Sequence, residues 1–437
     1  MRISILGGGW AGIICSLKIK EKYPNLEVLV IEKSHYNERG GLLRSETIDE
    51  FVFDTGGSHI IFSKDKSVLN DMLHLIQGAV VRHSRKSFIR FNKHTIISYP
   101  LETGLYDLPV KDRAEALISF LKACMSRSPN WKPKNFKEWI YGFFGRWISD
   151  KYLVPYNEKL WKRPLDQIDV DWVHIPGRLP IPDWCDVVRS AIGLKTIGYV
   201  EQSVFYYPVK GGIQALYDSV LRKAMKLGVR IIWGEEVKEV KREGKKWIIN
   251  EEYDCDLIIN TIPLPNLINA IKKPEPERDI IEAANALNYN KIAVIGVALN
   301  RKAPRQHWIY VPQRDIVFHR YAWVSNYSPY NVPQNKSSII AEITIPMSEH
   351  VKLDSLKDQV IEDLIRLGVV SWKEILFSKA WLHEYGYPVY TIGHRGNREK
   401  VISWLSEQGI KTVGRWGLWH YWNMDKVYEH ILRLLIS

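Results

Sequence analysis

Residues 1–13, MRISILGGGWAGI, decide the fold class of this chain. ISIL is a short apolar run of the kind expected of a buried parallel strand, and it leads into Gly7, Gly9 and Gly12. The helix-like segment AGIICSLKIKEKY follows, and a second apolar run, LEVLVI, ends just before Glu32. This order of strand, GxGxxG, helix, strand and acid, with Glu32 about 20 residues after the last glycine, predicts a Rossmann-type dinucleotide site.

Each residue type in this motif has a physical reason. Glycines allow a tight turn and let the backbone approach a pyrophosphate, which binds at the N-terminus of the following helix. Glu32 is expected to accept hydrogen bonds from ribose hydroxyls. The motif therefore predicts a bound dinucleotide but does not distinguish NAD from FAD.

A second motif, ERGGLLRSETIDEFVFDTGG, begins at Glu38 and favours FAD. Its Arg-Gly-Gly pattern resembles the second dinucleotide motif of the FAD-dependent amine oxidases and their relatives. In that class the arginine and the glycines line the flavin end of the cofactor, and the FDTGG segment approaches the isoalloxazine ring. The resemblance implies cofactor contacts from Arg39, Gly40, Gly41, Arg44 and Gly57.

The C-terminal segment TVGRWGLWHYWNMDKVYEHILRLL supplies a third part of the same site. A short strand at 411–413 enters a Gly-Arg-x-Gly turn, and a helix is predicted from about Asn423. Flavoproteins of the resembled class end in this way, with the N-terminus of the last helix beside the flavin. Arg415 is then implied at the polar edge of the flavin, where a cation stabilises the anionic reduced form. Backbone N–H groups are implied from Asn423, Met424 and Asp425.

Length and composition limit the possible functions. A chain of 437 residues predicts two or three domains, and its net charge of +12 suits an anionic ligand. The charges are dispersed, so we expect no nucleic-acid partner, and no apolar run is long enough to predict a membrane span. The 17 Trp and 22 Tyr residues are typical of pockets that stack on bases and sugars.

The four cysteines, Cys15, Cys124, Cys185 and Cys255, are far apart and form no CxxC or Cys/His pattern. This spacing favours reduced core thiols over a zinc site or a disulfide framework. No signal-peptide pattern precedes the first strand, since ISIL runs directly into the glycines. We therefore expect a cytoplasmic protein without a metal site.

The chain as a whole predicts an α/β protein with three parts: a discontinuous Rossmann-type FAD-binding domain, a helical domain and a mostly antiparallel β-sheet substrate domain. RAEALISFLKACM carries apolar residues at helical spacing, whereas KIAVIGVALN and SSIIAEITIP are typical of strands. The predicted segments are the first FAD-binding segment at 1–90, strands of the substrate sheet at 91–110, helices with a flap at 111–199, a sheet strand and the return to the FAD-binding domain at 200–265, the antiparallel sheet at 266–400, and the last FAD-binding segment at 401–437.

Five further motifs occur in order along almost the whole chain: YPLETGLYDLP, VPYNEKLW, FYYPVKGGIQAL, HRYAWVSNYSPYNVP and GRWGLWHYWNMD. Together they resemble the UDP-galactopyranose mutases, particularly those of eukaryotic type. That family interconverts UDP-galactopyranose and UDP-galactofuranose with no net redox change, through a covalent adduct between N5 of reduced FAD and the sugar. The resemblance implies FAD as cofactor, NADPH or another reductant to reduce it, and a UDP-sugar as substrate. Neither the oligomeric state nor the identity of the sugar follows from the motifs.

The resemblance also implies which groups bind the diphosphate. Arg320 matches the family's pyrophosphate-binding arginine, and a guanidinium can hold a diphosphate bidentately. Arg178 corresponds to a second arginine on a mobile flap, although it stands about two residues late relative to Trp161 and Trp172. Tyrosine hydroxyls that donate to the phosphates, while their rings exclude water, are expected from Tyr310, Tyr327, Tyr387 and Tyr421.

The uracil end is expected to contain Asn157 and Trp161, with Phe62 and Tyr99 nearby. Asn offers the paired donor and acceptor that a uracil edge needs. One position departs from the family pattern: Glu102 stands where the family has Gln, and a carboxylate accepts from an imide N–H but cannot donate. This substitution leaves open which base the site prefers.

His59 resembles the family's histidine beside the flavin, which lies on a mobile loop flanked by glycines. In the family its backbone carbonyl serves the N5–H of the reduced flavin. The glycines before it would give the loop its freedom, and one extra residue, Ser58, separates His59 from Gly57. We therefore place His59 with Arg320 and Arg178 among the expected catalytic residues.

Three other functions remain open from the sequence. The first is an oxidase or desaturase of the amine oxidase and protoporphyrinogen oxidase kind, which needs an apolar or amine-binding cavity and a route for oxygen. The second is a mutase for another nucleotide-sugar, and the third is a flavin-binding protein without catalytic activity. The expected cluster of Arg320 and tyrosines favours an anionic nucleotide ligand over an oxidase substrate.

Overall fold

Segments that are far apart in sequence form one parallel five-stranded sheet. The computed structural model describes residues 1–174, 179, 181–196 and 203–436. Every neighbouring pair of strands in this sheet is parallel, and the two N-terminal strands are largely buried, as parallel strands are. In spatial order the strands are Lys411–Thr412, Leu257–Asn260, Arg2–Leu6, Glu27–Glu32 and Arg230–Trp233. The prediction of a discontinuous Rossmann-type domain is confirmed.

Contacts between the two ends of the chain complete this domain. Helix Trp10–Lys22 packs against helices Gln214–Lys226 and Met424–Ile436. The indole N–H of Trp10 donates to the backbone carbonyl of Met424 at 3.1 Å. The glycine-rich N-terminal motif and the C-terminal helix therefore lie side by side, as the two sequence motifs predict.

A second large sheet has seven strands and is mostly antiparallel, as predicted. One pair is parallel, in which Ser87–Arg90 lies beside Trp308–Tyr310. The described order of strands across the sheet is Ile375–Val389, Asn288–Leu299, Ser337–Pro346, Arg320–Ala322, Trp308–Tyr310, Ser87–Arg90 and Ile96–Ser98. One predicted boundary needs correction: the sheet begins at Ser87 rather than at 91, because Ser87–Arg90 forms a hairpin with Ile96–Ser98.

Among the described residues, three smaller sheets are separate from these two. The segment expected to return to the FAD-binding domain adds a four-stranded sheet made of Tyr253–Cys255, Lys246–Ile249, Val240–Glu243 and Ile271–Lys273. The strand predicted near residue 200 differs from expectation, because Val204–Pro208 pairs with Val80–Ser84 in a sheet of its own and does not join the seven-stranded sheet. A third, two-stranded sheet joins Ser45–Ile48 to Phe51–Asp54.

Helices predominate among the described residues between 110 and 191. Helix Val110–Ser126 packs on Phe136–Ile148, and aromatic side chains such as Phe120 and Phe144 are fully buried between such helices. The other helices of this region are Val154–Trp161 and Trp184–Ala191, and elsewhere lie Lys66–His74, Leu264–Ala270, Arg278–Asn285, Leu353–Arg366, His394–Glu407 and Gly414–Gly417. Within the described ranges, no helix has the length and apolar character needed to cross a membrane.

Candidate functional site

A cavity of about 610 Å³ lies between the carboxyl ends of the parallel strands and the seven-stranded sheet. One end, the glycine end, is lined by residues that follow or end parallel strands: Gly7, Gly9, Glu32 and Thr261. A second group of lining residues, the arginine end, consists of Phe62, Arg85, Tyr99, Trp308, Tyr310 and Arg320. The lining also includes Gly40, Gly41, His59, Arg415, Asn423 and Met424. Ligands of parallel α/β sheets bind at this edge, so the cavity stands where a cofactor is expected.

The glycine end is shaped by backbone that only glycine permits. A Cβ atom on Gly12 would lie 1.9 Å from the carbonyl oxygen of Gly7, so glycine is required where the first helix crosses the first strand. A Cβ atom on Gly9 would meet no described atom within 4 Å, so its backbone is open to a ligand. The Glu32 carboxylate accepts from the backbone N–H of Gly8 at 2.6 Å and of Ser34 at 2.8 Å, which fixes its position in the wall.

The two glycines of the Arg-Gly-Gly turn line the cavity, whereas its arginine, Arg39, forms an ion pair outside the cavity wall. Gly40 and Gly41 have φ values of 109° and 56°, in the left-handed region that favours glycine. Arg39 was expected to contact the cofactor, but its guanidinium donates to both carboxylate oxygens of Asp218, at 2.8 and 3.0 Å. Arg44 lies 3.8 Å and 3.9 Å from two carboxylates, those of Glu38 and Glu46. Among described residues, neither arginine belongs to the cavity wall.

Residues 55–59 form a loop, called loop 55–59 below. Within it, His59 lines the cavity. Gly57 has a φ of 104°, which a larger residue rarely adopts. The Nδ1 atom of His59 lies 3.0 Å from the carbonyl oxygen of Gly57. Burial lowers the pKa of His59 to about 4, so its imidazole is neutral at physiological pH.

Arg415 stands in the same part of the wall and is surrounded by aromatic rings. Its guanidinium lies 4.6 Å from the ring centroid of Tyr421 and 5.5 Å from that of Tyr387, and it donates to the carbonyl of Gly386. Asn423 and Met424 line the cavity at the start of the last helix, whereas Asp425 is buried behind them. Arg415 and the start of the last helix therefore line the same cavity.

The arginine end combines cations with aromatic rings. Arg320 and Tyr310 are direct partners on neighbouring antiparallel strands, so both side chains reach the same face of the sheet. The ring of Tyr99 lies 4.6 Å from that of Tyr310, and the Trp308 indole donates to the Tyr310 hydroxyl at 3.1 Å. The Arg85 guanidinium stacks over this cluster, 4.8 Å from the ring centroid of Tyr99. Such a surface suits a ligand with an anionic group and flat rings.

Arg320 is held by a buried carboxylate. Its NH2 atom lies 2.7 and 2.6 Å from the two oxygens of Glu342, and its Nε atom donates to Oε1 at 3.0 Å. Burial is the largest single influence and alone would raise the pKa of Glu342, but the charge of Arg320, the neighbouring His319 and hydrogen bonds from Arg320 and the Ser58 N–H together hold the pKa below its usual value. The Tyr387 hydroxyl also donates to Glu342, at 3.3 Å. Glu342 thus orients the guanidinium of Arg320, which faces the cavity.

Comparisons with known proteins agree with this geometry. The family described as NAD(P)-binding Rossmann-like domain matches residues 5–74, and the family described as flavin containing amine oxidoreductase matches residues 184–376. A crystal structure of reduced UDP-galactopyranose mutase is similar to this chain with a TM-score of 0.88 and 25% identity, covering 100% of this chain and 94% of that one. The chain belongs to the FAD-dependent amine oxidase-like superfamily.

Two further members of this fold group have lower identity. A putative protoporphyrinogen oxidase from Exiguobacterium sp. is 16% identical, with a TM-score of 0.75 and coverage of 100% of this chain and 98% of that one. A fatty acid isomerase from P. acnes that produces CLA is 14% identical, with a TM-score of 0.64 and the same two coverages. At these identities the likeness concerns the fold.

The cavity fits the cofactor of the superfamily. The open backbone at Gly9, the fixed Glu32 carboxylate and the left-handed turn at Gly40 form a continuous wall in which a dinucleotide finds glycine backbone and one acceptor. Arg415 supplies a cation further along the same wall. Because this superfamily uses FAD, the residues from Gly7 to Gly41 are those that would hold it.

Tyr327, Tyr387 and Tyr421 lie behind the cavity wall rather than in it, as far as the described residues extend. The Tyr327 hydroxyl lies 2.5 Å from the Ser58 hydroxyl, and its ring is fully buried against other aromatic rings. It was expected at the diphosphate, but the extra residue Ser58 occupies the place in front of its hydroxyl. Tyr387 contacts Glu342, and Tyr421 packs beneath Arg415. Of the four predicted tyrosines, Tyr310 is the one that lines the cavity.

Of the residues predicted to contact uracil, two line the cavity and two lie behind its wall. Phe62 and Tyr99 line the arginine end, but the Asn157 amide donates to its own helix, at 2.7 Å from the carbonyl of Leu153. Trp161 is fully buried against Trp172. Both side chains support the wall from within the helical region, because their helix turns these faces towards the core. Glu102 is buried as well, and Arg178 lies outside the described residues.

Sequence reasoning missed Glu342, Arg85 and His383, which line the site or hold its residues. Glu342 had a signal: it is the one charged residue in the otherwise uncharged strand SSIIAEITIP, which is buried almost throughout. His383 lines the cavity and its Nε2 lies 2.9 Å from the carbonyl oxygen of Thr55. Arg85 had no local signal, because only the pairing of Ser87–Arg90 with Trp308–Tyr310 brings it beside Trp308.

Proposed function

We propose that this chain is a flavin-dependent isomerase that interconverts UDP-galactopyranose and UDP-galactofuranose. The observation that carries the proposal is the continuity of one cavity from the glycine end to Arg320 and Tyr310. A dinucleotide and a second anionic nucleotide find their complementary groups in one space. The similarity to reduced UDP-galactopyranose mutase, at 25% identity over the whole chain, supports the same activity.

Each part of the cavity has a task in this reaction. When bound, reduced FAD supplies the nucleophile that attacks the anomeric carbon of the sugar. Arg320 binds the diphosphate and stabilises its charge when UDP leaves, and the Tyr310 hydroxyl donates to the same group. Phe62 and Tyr99 stack on the base, and the surrounding rings exclude water from the reacting sugar. His59 stays neutral and presents its backbone to the cofactor.

The remaining features of the proposal concern the environment of the enzyme. Reduction by NADPH or another reductant is required, since the reaction starts from reduced FAD. The four cysteine thiols are free, and Cys15 and Cys255 are buried, which supports a reducing compartment such as the cytoplasm. The Rossmann core, the helical region and the antiparallel sheet are proposed to act as the cofactor, flap-bearing and substrate domains.

The decisive experiment uses purified protein reduced with dithionite under anaerobic conditions. We expect UDP-galactofuranose to be converted into UDP-galactopyranose, detected by chromatography, and we expect no conversion by the oxidised protein. The same assay is run with a panel of nucleotide-sugars that differ in their base. Turnover of another member of the panel would identify that compound as the substrate instead. Glu102 is then the first residue to mutate as a test of the base preference. Absence of isomerisation, together with oxygen consumption on an amine or a porphyrinogen, would replace it with an oxidase.

A further inference from the structure

One carboxylate connects the two functional halves of the cavity. Glu342 is fully buried, and its Oε1 accepts from the backbone N–H of Ser58 at 2.9 Å as well as from Nε of Arg320 at 3.0 Å. Ser58 belongs to loop 55–59, which carries His59, whereas Arg320 faces the arginine end. The loop beside the cofactor site and the cation proposed for the diphosphate therefore share one acceptor atom.

Other contacts also hold loop 55–59 close to this shared acceptor. At one end, Nε2 of His383 lies 2.9 Å from the carbonyl of Thr55. At the other, the Ser58 hydroxyl meets the Tyr327 hydroxyl at 2.5 Å. A Cβ atom on Gly57 would lie 3.2 Å from the Glu342 carboxylate, so a larger residue at this position would press against the acid. Within this segment the Gly57 N–H donates to the carbonyl of Asp54 at 3.3 Å, and the Ser58 N–H donates to Glu342, so a movement of Ser58 changes its contact with this acid.

We infer that Glu342 is a positioning residue that couples anion binding at Arg320 to the position of loop 55–59. An incoming diphosphate draws the Arg320 guanidinium towards itself and weakens the Arg320–Glu342 contact. Oε1 is then left mainly to the Ser58 N–H, which draws the loop and His59 towards the sheet. If the position of loop 55–59 affects the redox equilibrium of a cofactor beside it, reciprocity requires that the redox state changes the affinity for the diphosphate by the same factor by which the diphosphate changes the redox equilibrium.

This inference rests on the proposed function, and the test separates the two. The dissociation constant of UDP is measured by titration calorimetry for the oxidised holoenzyme and for the dithionite-reduced holoenzyme. We expect the two constants to differ by about tenfold in the wild-type protein, which corresponds to a shift of about 30 mV in the two-electron midpoint potential on saturation with UDP. The potential is measured independently by spectroelectrochemistry.

Two variants of Glu342 should remove the difference. Glu342→Gln weakens the hold on Arg320 while keeping an acceptor for Ser58, and Glu342→Asp keeps the charge but is too short to reach both partners. In each, we expect the oxidised and reduced constants to agree within about twofold, with FAD content unchanged. Because Glu342→Asp keeps the negative charge that pairs with Arg320, it provides the test if Glu342→Gln does not fold. The matched control is Glu362→Gln, an exposed acid on another element, which should keep the wild-type ratio.

A third variant distinguishes the backbone link from general disturbance of the loop. Ser58→Ala loses the contact with Tyr327 but keeps its N–H donor to Glu342, so it should retain most of the difference. Equal UDP constants for the two redox forms of the wild type would overturn the inference and leave the proposed function standing. A wild-type ratio in both Glu342 variants would also overturn it. No binding of UDP to either form would overturn the proposed function, and the inference with it.

Discussion

The indole N–H of Trp10 donates to the backbone carbonyl of Met424 at 3.1 Å, across 414 residues of sequence. Trp10 is the first residue of the helix that follows the glycine motif, and Met424 is the first residue of the last helix. Both residues also line the cavity. This one contact therefore joins the beginning and the end of the cofactor domain at the edge of its binding site.

Removing this contact should loosen the domain. We expect Trp10→Phe to lower the free energy of unfolding by about 1 kcal/mol, because it keeps most of the buried ring and loses the hydrogen bond. Urea denaturation followed by circular dichroism measures the change. Trp184→Phe, at an exposed tryptophan, is the control and should have no effect. Equal stability of Trp10→Phe and wild type would mean that the contact does not hold the ends together.

Two glycines of the N-terminal motif should respond differently to alanine. Gly12→Ala places a Cβ atom 1.9 Å from the Gly7 carbonyl oxygen, so the helix must move, at a cost of about 1–3 kcal/mol in stability. Gly9→Ala meets no described atom within 4 Å and its φ of −68° suits alanine, so the apoprotein should keep its stability. We expect Gly9→Ala to lose FAD because the new methyl group enters the ligand space. Thermal melting and the visible flavin absorbance of the purified proteins separate the two effects.

Arg320 should control affinity for UDP without affecting retention of the cofactor. We expect Arg320→Ala to retain the yellow colour of FAD and to bind UDP roughly tenfold more weakly, a loss of about 1.4 kcal/mol. Arg320→Lys should weaken binding similarly, since an ammonium cannot bind bidentately, while it still neutralises buried Glu342. Arg314→Ala, at an exposed arginine, is the control. UDP titration that gives wild-type affinity for both Arg320 variants would remove this residue from the site.

Buried histidines should make the protein sensitive to mild acid. Burial lowers the pKa of His307 from 6.5 to about 3, and its Nδ1 accepts from the backbone N–H of Lys86 at 3.0 Å. The unfolded chain therefore takes up the proton first, so stability is complete above pH 6.5 and is lost as the pH falls towards about 3. At pH 5.5 this single group should lower the free energy of unfolding by about 1.4 kcal/mol.

Urea denaturation at pH 7.5 and pH 5.5 measures this effect. His307→Asn can still accept from the Lys86 N–H but takes up no proton, so the difference between the two pH values should shrink by about 1.4 kcal/mol. His350→Asn removes an exposed histidine and should leave the difference as in the wild type. An unchanged difference in His307→Asn would show that His307 is already protonated in the folded state at pH 5.5.

Much of the cofactor side could be predicted because its signals are local. The turn at Gly7, the helix start at Gly9 and the carboxylate of Glu32 lie within one strand–helix–strand unit, whose geometry follows from contiguous residues. The C-terminal turn at Arg415 was predicted for the same reason. Arg39 was predicted less well, because a side chain's choice of partner is not local: its partner, Asp218, stands 179 residues away.

By itself, the sequence determined the parallel sheet, the glycine turns and the cluster of candidate residues around Arg320, because spacing and residue type already limit backbone shape and charge. The tertiary structure decided which of these side chains face the cavity. Strand register set Arg320 opposite both Tyr310 and Glu342, and the fold placed the Tyr327 hydroxyl 2.5 Å from the hydroxyl of Ser58, which is 269 residues away in sequence. Side-chain direction alternates along a strand and shifts with one inserted residue, so it is known only once the strands are paired.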